Sequence, residues 1–119
     1  MSGGERFKSK VVHLILTGEA EQALNLLSRH YHVPTPELKV GLPKGHRNVI
    51  GCYVADKRII YIVDRKCLYN LHLILHEFYH HLRSRGGKHR GTEKYADRFA
   101  EDYIQAYRRV LHDKKELVD

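Results

Sequence analysis

The sequence predicts a small α+β domain, and three observations support that prediction. The chain has 119 residues, of which 42% are hydrophobic, enough for one hydrophobic core, so residues 1–119 are expected to form a single domain. Apolar residues recur with helical spacing at both ends of the chain. The middle is rich in β-branched and aromatic residues. This order predicts N-terminal helices, a small antiparallel or mixed sheet, and two further helices.

Two helices are expected before the sheet. The first covers residues 6–17, although a pair of adjacent valines leaves a strand open there, and Gly18 stands where a helix usually ends. The second covers residues 19–31, and Pro34 and Pro36 exclude its continuation. The apolar stripes consist of Phe7, Val11, Leu14 and Ile15 in the first helix and of Ala20, Ala23, Leu24 and Leu27 in the second.

Three strands are expected next. Residues 38–42 alternate between apolar and polar, whereas 49–54 and 59–63 are rich in β-branched and aromatic side chains. The segment 55–58, which joins the last two, is typical of a hairpin turn. The sequence therefore predicts a sheet that contains at least one antiparallel pair.

Helical spacing returns after the strands. A third helix is predicted over residues 67–84, ended by the glycines at 86–87. Thr92 is the expected N-cap of a fourth helix that runs to about Leu111, and the charged tail from His112 is expected to fray. The apolar stripes consist of Leu71, Ile74 or Leu75, Phe78 and Leu82 in the third helix and of Ala96, Phe99, Ala100, Tyr103, Tyr107 and Val110 in the fourth.

The third helix contains an HExxH motif, His76-Glu77-Phe78-Tyr79-His80. A spacing of four residues sets His76 and His80 one turn apart on the same helix face, so both imidazoles can bind one zinc ion. Glu77 lies beside that face and is the candidate catalytic base, because it can take a proton from water at the metal without being a ligand. Solvated helix histidines are the simpler alternative, but unpaired imidazoles on an otherwise apolar helix would be costly.

A catalytic zinc with two histidine ligands needs one more protein ligand. Glu93 and Asp97 are spaced i, i+4 on the fourth helix, where neighbouring alanines allow the two helix backbones to approach closely. Glu93 is the first candidate, and Asp97 is expected to accept the outer N–H of a ligating histidine and so fix its tautomer. Asp97 itself, or His89 from the connecting loop, is the alternative third ligand.

Other polar residues near the motif are expected to have supporting roles. His72, one turn before the motif, is expected at the rim of the site or behind a ligand. His81 points about 100° away from the preceding histidine and is expected to be structural or exposed. Peptide hydrolysis also needs a donor for the oxyanion, and the sequence leaves that role open among Tyr95, His89, Arg98 and Tyr103.

The motif is followed by Glu93-Lys94-Tyr95-Ala96-Asp97-Arg98-Phe99-Ala100, an ExxADxFA pattern. Together the two patterns resemble the ImmA/IrrE group of zinc metallopeptidases, within the gluzincin class of zincins, over roughly residues 20–110. The resemblance implies a zincin-like fold with zinc bound by His76, His80 and Glu93 and with Glu77 as catalytic base. It also implies a protein substrate, typically a transcriptional repressor whose cleavage switches genes.

Charge and composition limit the partners and the location. The 21 basic and 14 acidic residues give a net charge of +7, which favours anionic partners such as nucleic acid. A non-enzymatic or latent zincin-fold protein that binds metal or nucleic acid is therefore the alternative to a peptidase. With no apolar run long enough for a bilayer and no secretory signal, a cytoplasmic protein without a membrane partner is expected. Cys52 and Cys67 are expected to be reduced and partly buried.

Overall fold

The computed structural model describes residues 3–85, 88–89 and 92–118, and side chains over 3–84 and 92–114. These residues form four α-helices, a three-stranded sheet and a short hairpin, which agrees with the predicted α+β class. In chain order the elements are α1 (Gly3–Leu16), α2 (Ala20–Tyr31), β1 (Glu37–Val40), β2 (Gly51–Val54), β3 (Ile59–Ile62), a 3₁₀ turn (Arg65–Tyr69), α3 (Leu71–Leu82), β4 (Ser84–Arg85), β5 (Lys88–His89) and α4 (Glu93–Val118). Among the described residues, no helix is both long enough and apolar enough to span a bilayer.

The first two helices end where the sequence predicts. Gly18 adopts a φ of +88°, which a glycine accepts without strain, and the next N–H, of Glu19, donates to the carbonyl of Leu14 over 2.7 Å. His32 closes α2 in the left-handed region with a φ of 58°, and the prolines follow. The residues of α1 that left a strand open are helical, because their valines pack into the core.

The sheet is mixed, with the order β1-β3-β2. β1 runs parallel to β3, whereas β2 pairs with β3 in antiparallel register, with Cys52 opposite Tyr61. The predicted hairpin turn is confirmed, since the N–H of Arg58 donates to the carbonyl of Ala55 over 3.3 Å. The strand order places β2 at an edge of the sheet. All four residues of the central strand β3 are buried against the core.

The predicted bounds of the third helix, residues 67–84, are wrong, because α3 covers Leu71–Leu82. The residues from Cys67 form a 3₁₀ turn instead, because Asn70 caps α3: its side-chain oxygen accepts from the N–H of Leu73 over 3.0 Å. After Leu82 the chain enters the β4–β5 hairpin, and strands of two residues are too short to leave a pattern in the sequence. The two glycines expected to end the helix lie outside the described residues.

The fourth helix begins as predicted and continues further than predicted. Thr92 caps it, with its hydroxyl accepting from the N–H of Tyr95 over 3.2 Å. The expectation that the chain frays after His112 is wrong, because α4 continues to Val118. Residues 113–118 are mostly lysine, glutamate and leucine, which are strong helix formers, and basic residues near a helix C-terminus interact favourably with its dipole.

One hydrophobic core joins the four helices to β3. Its largest fully buried side chains include Phe78 of α3 and Tyr103 of α4, and the Tyr103 and Tyr31 hydroxyls form a hydrogen bond of 2.6 Å. Burial of Ile74, Leu75 and Phe78 fixes the rotation of α3 about its axis. The adjoining face of α3, which bears the histidines of the HExxH motif, is thereby turned toward the first turns of α4.

Candidate metal centre

The two histidines of the HExxH motif lie one turn apart on α3, as the spacing predicts. The Nε2 atoms of His76 and His80 are 3.1 Å apart. Their side chains are only 13% and 10% exposed, because α4 covers them on one side and the edge of the sheet lies on the other. Both rings therefore present nitrogen to the same small volume.

Glu93, in the first turn of α4, completes this cluster. One of its carboxylate oxygens, Oε2, lies 2.8 Å from His76 Nε2, and the other, Oε1, lies 2.7 Å from His80 Nε2. The small side chains of Ala96 and Ala100, both fully buried, let α4 pack closely against α3. The structure thus brings together the three residues that the sequence singled out as ligands.

Asp97 lies one turn further along α4, on the opposite side of the His76 ring. The Nδ1–H of His76 donates to Asp97 Oδ1 over 2.8 Å. A neutral imidazole protonated at Nδ1 has its lone pair on Nε2, the atom that faces Glu93. The predicted contact between Asp97 and a histidine of the motif is present, and it favours a His76 tautomer whose Nε2 can bind a metal.

The donor set fits a zinc ion. Two imidazole nitrogens and a carboxylate oxygen are usual zinc ligands, and one ligand atom from each residue can be chosen so that all lie within 4.8 Å of one another. The three side chains bring nitrogen and oxygen atoms to within 2.7–3.1 Å of one another, and a cation among them would be attracted to the Glu93 carboxylate. Three protein ligands leave a fourth tetrahedral position for water or substrate.

Glu77, the candidate base, is buried beside these candidate ligands, with 7% of its surface exposed. Burial raises its pKa to about 7, the His76 ring opposes this increase, and the Glu93 carboxylate adds to it. Without a metal ion, the carboxyl group is therefore poised near neutral pH. A group of this kind can both accept and release a proton under physiological conditions.

Glu77 lines two neighbouring cavities, which together we call the cleft. One of about 360 Å³ lies between the edge strand β2 and the candidate ligands His80 and Glu93. The other, of about 480 Å³, is lined by His76 and Asp97 and by the exposed apolar residues before β2. Gly51 borders both cavities, and β2 runs along the cleft.

The remaining candidates have different positions. His72 lies at the rim, as expected, with its Nε2 atom 3.4 Å from Asp97 Oδ1. His81 is structural: its Nε2–H donates to the carbonyl of Pro34 over 2.6 Å, and its Nδ1 accepts from the Tyr53 hydroxyl over 2.7 Å. Burial lowers the pKa of His81, which favours this neutral form.

Of the four candidate oxyanion donors, Tyr103 is excluded because its hydroxyl is buried in the core and bonded to Tyr31. Tyr95 is exposed, with the Arg98 guanidinium 5.5 Å from its ring centroid, and neither residue lines the two cavities. The side chain of His89, which is also the alternative third ligand, lies outside the described residues.

Sequence reasoning missed the contribution of β2 to the site. Cys52 lines the cavity beside Glu77, and burial raises the pKa of its thiol, with the Glu77 carboxylate adding to the increase. Gly51 approaches α3 so closely that a Cβ atom there would lie 2.8 Å from a methyl group of Leu73. No local pattern shows which face of a short strand adjoins which helix, so only the fold brings these residues to the site.

Comparisons of the chain with protein-family models, with curated proteins and with solved structures find no match. The likeness to the ImmA/IrrE metallopeptidases is based on the residues of the two motifs, the HExxH sequence of α3 and the ExxADxFA sequence of α4.

Proposed function

We propose that this protein is a zinc-dependent metallopeptidase of the ImmA/IrrE kind that hydrolyses an internal peptide bond of a protein substrate. The observation that supports this most directly is the convergence of possible ligand atoms from His76, His80 and Glu93 beside the buried carboxyl group of Glu77. A substrate such as a transcriptional repressor implies a cytoplasmic location.

His76, His80 and Glu93 would hold the metal, and a bound zinc ion supplies Lewis-acid polarisation of the scissile carbonyl and lowers the pKa of water. Glu77 takes the proton from the attacking water and later delivers it to the leaving amine. Asp97 keeps the His76 ring in the ligating tautomer. These assignments account for five of the polar residues that line the cleft.

The form of the cleft favours a polypeptide substrate. Glu77 borders both of its cavities, so a chain that occupied the two would have residues before and after the scissile bond. β2 is an edge strand that runs along the cleft, and an extended peptide can add to such an edge through backbone hydrogen bonds. An internal bond of an extended segment is the substrate that fits this arrangement.

The test combines zinc analysis with a search for cleaved bonds. Zinc-loaded wild type is incubated with a library of cellular peptides, and new N-termini are identified by mass spectrometry. We expect bound zinc at about one equivalent and cleavage of internal bonds by the wild type. Glu77→Gln should keep the zinc and lose activity by about 10²–10⁴-fold, as removal of a general base does.

Glu101→Gln is the matched control, because this exposed glutamate lies on α4 away from the cleft. It should retain both zinc and activity. Undiminished cleavage by Glu77→Gln would refute the assignment of the base. A wild type that binds no zinc and cleaves no peptide would favour the non-enzymatic alternative, whose binding to DNA or RNA would fall steeply with salt and persist in Glu77→Gln.

A further inference from the structure

A third cavity, larger than the two of the cleft, lies between α1 and the C-terminal half of α4 and has a volume of about 750 Å³. Its floor is apolar and comes from α4, through Tyr107, Val110 and Leu111. Leu111 is 47% exposed, whereas the adjacent Val110 is buried. The cavity is therefore an apolar groove that the described part of the chain leaves open.

The groove is formed by matching stripes on the two helices. Arg6, Ser9, Lys10 and His13 line it from α1, at positions i, i+3, i+4 and i+7. The residues from α4 follow the same spacing, from Tyr107 to Lys114. Two parallel ridges of two turns each leave a depression between them into which the side chains of a third helix can pack.

The charge around the groove has one sign. Arg6 and Lys10 border it from α1 and Lys114 from α4, and no acidic side chain is among the described residues that line it. Glu5, which precedes Arg6 in the sequence, forms an ion pair of 2.6 Å with Arg109 that links the two helices. Its negative charge is therefore already paired. An apolar floor between cationic walls complements a surface in which apolar and acidic residues are combined.

We propose that this groove binds an acidic amphipathic helix of a partner protein. Such a helix would insert leucine-sized side chains at i, i+3, i+4 and i+7 over Leu111 and Val110, with glutamates facing Lys10 and Lys114. A nucleic acid would use the cations but leave the apolar floor without a partner, because protein contacts to its backbone are largely electrostatic. The mode of binding is that of helix-in-groove recognition.

The groove is separate from the candidate metal centre. Asp97 and Val110 both lie on α4, thirteen positions apart in the sequence, which is about 20 Å along a helix. The proposal therefore does not depend on peptidase activity. A partner bound here leaves the cleft beside β2 accessible.

A fluorescein-labelled helical peptide tests the proposal, with leucines at i, i+3, i+4 and i+7 and glutamates on the flanking positions. A second peptide, with lysine at every glutamate position, is the matched control probe. Fluorescence anisotropy with the full chain should detect the acidic peptide and not the basic one, and binding should weaken as salt rises. Circular dichroism checks that each variant used is folded.

Two variants test separately how the charge and the apolar floor contribute to binding of the acidic peptide. Lys10→Glu and Leu111→Ser should each weaken binding of the acidic peptide by about tenfold or more. Both positions are exposed, so neither change disturbs the core. Lys66→Glu, in the exposed 3₁₀ turn, changes the net charge equally and should bind as the wild type does.

Several results would overturn the proposal. Equal binding of the acidic and basic peptides, or a wild-type affinity in both groove variants, would refute it. If a DNA duplex or vesicles of anionic phospholipid bound in a manner that required Leu111 while the acidic peptide did not bind, the groove would belong to that ligand. Dimerisation that is lost in Leu111→Ser would assign the groove to a second copy of the chain.

Discussion

At the scale of single residues, the two nitrogens of His76 face different carboxylates. Its Nδ1–H is held by Asp97, and its Nε2 faces Glu93 and His80. A carboxylate that fixes the tautomer also increases the basicity of the ligating nitrogen. Glu93 and Asp97 both carry a carboxylate, so their proposed roles differ only because each faces a different nitrogen of the His76 ring.

That distinction predicts how two variants rank in zinc affinity. Glu93→Ala removes a ligand atom and should abolish stoichiometric zinc binding, whereas Asp97→Ala removes only the support of His76 and should weaken binding by about 10–100-fold. Competition with a chromogenic chelator measures both affinities.

His72→Ala is the matched control for this ranking, because His72 contacts Asp97 but not Glu93. It should retain about one equivalent of zinc. If Asp97→Ala lost the metal and Glu93→Ala kept it, Asp97 would be the ligand. A second equivalent of zinc in the wild type that His72→Ala lost would instead show that His72, His76 and Asp97 form a second site.

Sequence spacing was sufficient for the residues that lie on one helix. The pairs His76 with His80 and Glu93 with Asp97 follow from the helical repeat alone. The contact between Tyr31 and Tyr103, with hydroxyls 2.6 Å apart, joins residues separated by 72 positions and has no local signal. Long-range contacts of this kind depend on how the elements pack, which one sequence does not reveal.

At the scale of elements, the start of α3 decides where the motif lies. The sequence predicts a helix from Cys67, but a helix that began there would be continuous through Asn70, which instead caps α3 in an extended conformation. Asparagine is favoured at N-caps and disfavoured inside helices because its side chain competes for backbone hydrogen bonds. The apolar pattern alone could not locate this boundary, since the 3₁₀ turn also packs Leu68 against the core.

The cap predicts a specific effect on stability. Asn70→Ala should lower the free energy of unfolding by about 1 kcal/mol, because the N–H of Leu73 loses its acceptor. Asn70→Asp is the matched control and should retain most of the stability, since aspartate accepts the same hydrogen bond. Urea unfolding followed by circular dichroism measures both. Equal losses in the two variants would show that the amide contributes something other than the cap.

At the scale of the whole molecule, α4 connects the two surfaces that we propose to be functional. Its first turns contribute Glu93 and Asp97 to the candidate metal centre, and its C-terminal half forms the floor of the apolar groove beside α1. Packing of α4 against both α1 and α3 fixes its position between them. The net charge of +7 favours anionic partners only in general, and it is the packing of α1 on α4 that shows where cations adjoin an apolar floor.

Zinc should stabilise this arrangement without being required for it. The proposed ligands come from α3 and α4, so the metal would link two helices that already share a buried apolar interface through Phe78 and Ala100. We therefore expect the chelator-treated protein to remain folded, with a lower Tm. At free zinc about a thousandfold above Kd, linkage adds about 4 kcal/mol to the free energy of unfolding. Calorimetry with and without zinc measures the shift.

Two variants define the origin of that shift. His80→Ala should show little increase in Tm with zinc, because a ligand is absent, whereas Glu77→Gln should keep the full increase, because Glu77 is assigned to proton transfer. Loss of helical circular dichroism on chelation would mean that the apolar contacts of α3 and α4 are insufficient without metal, as in small zinc-dependent folds. An unchanged Tm in the wild type would instead argue against a metal bound only by the native fold, since any ligand that binds the folded state alone must stabilise it.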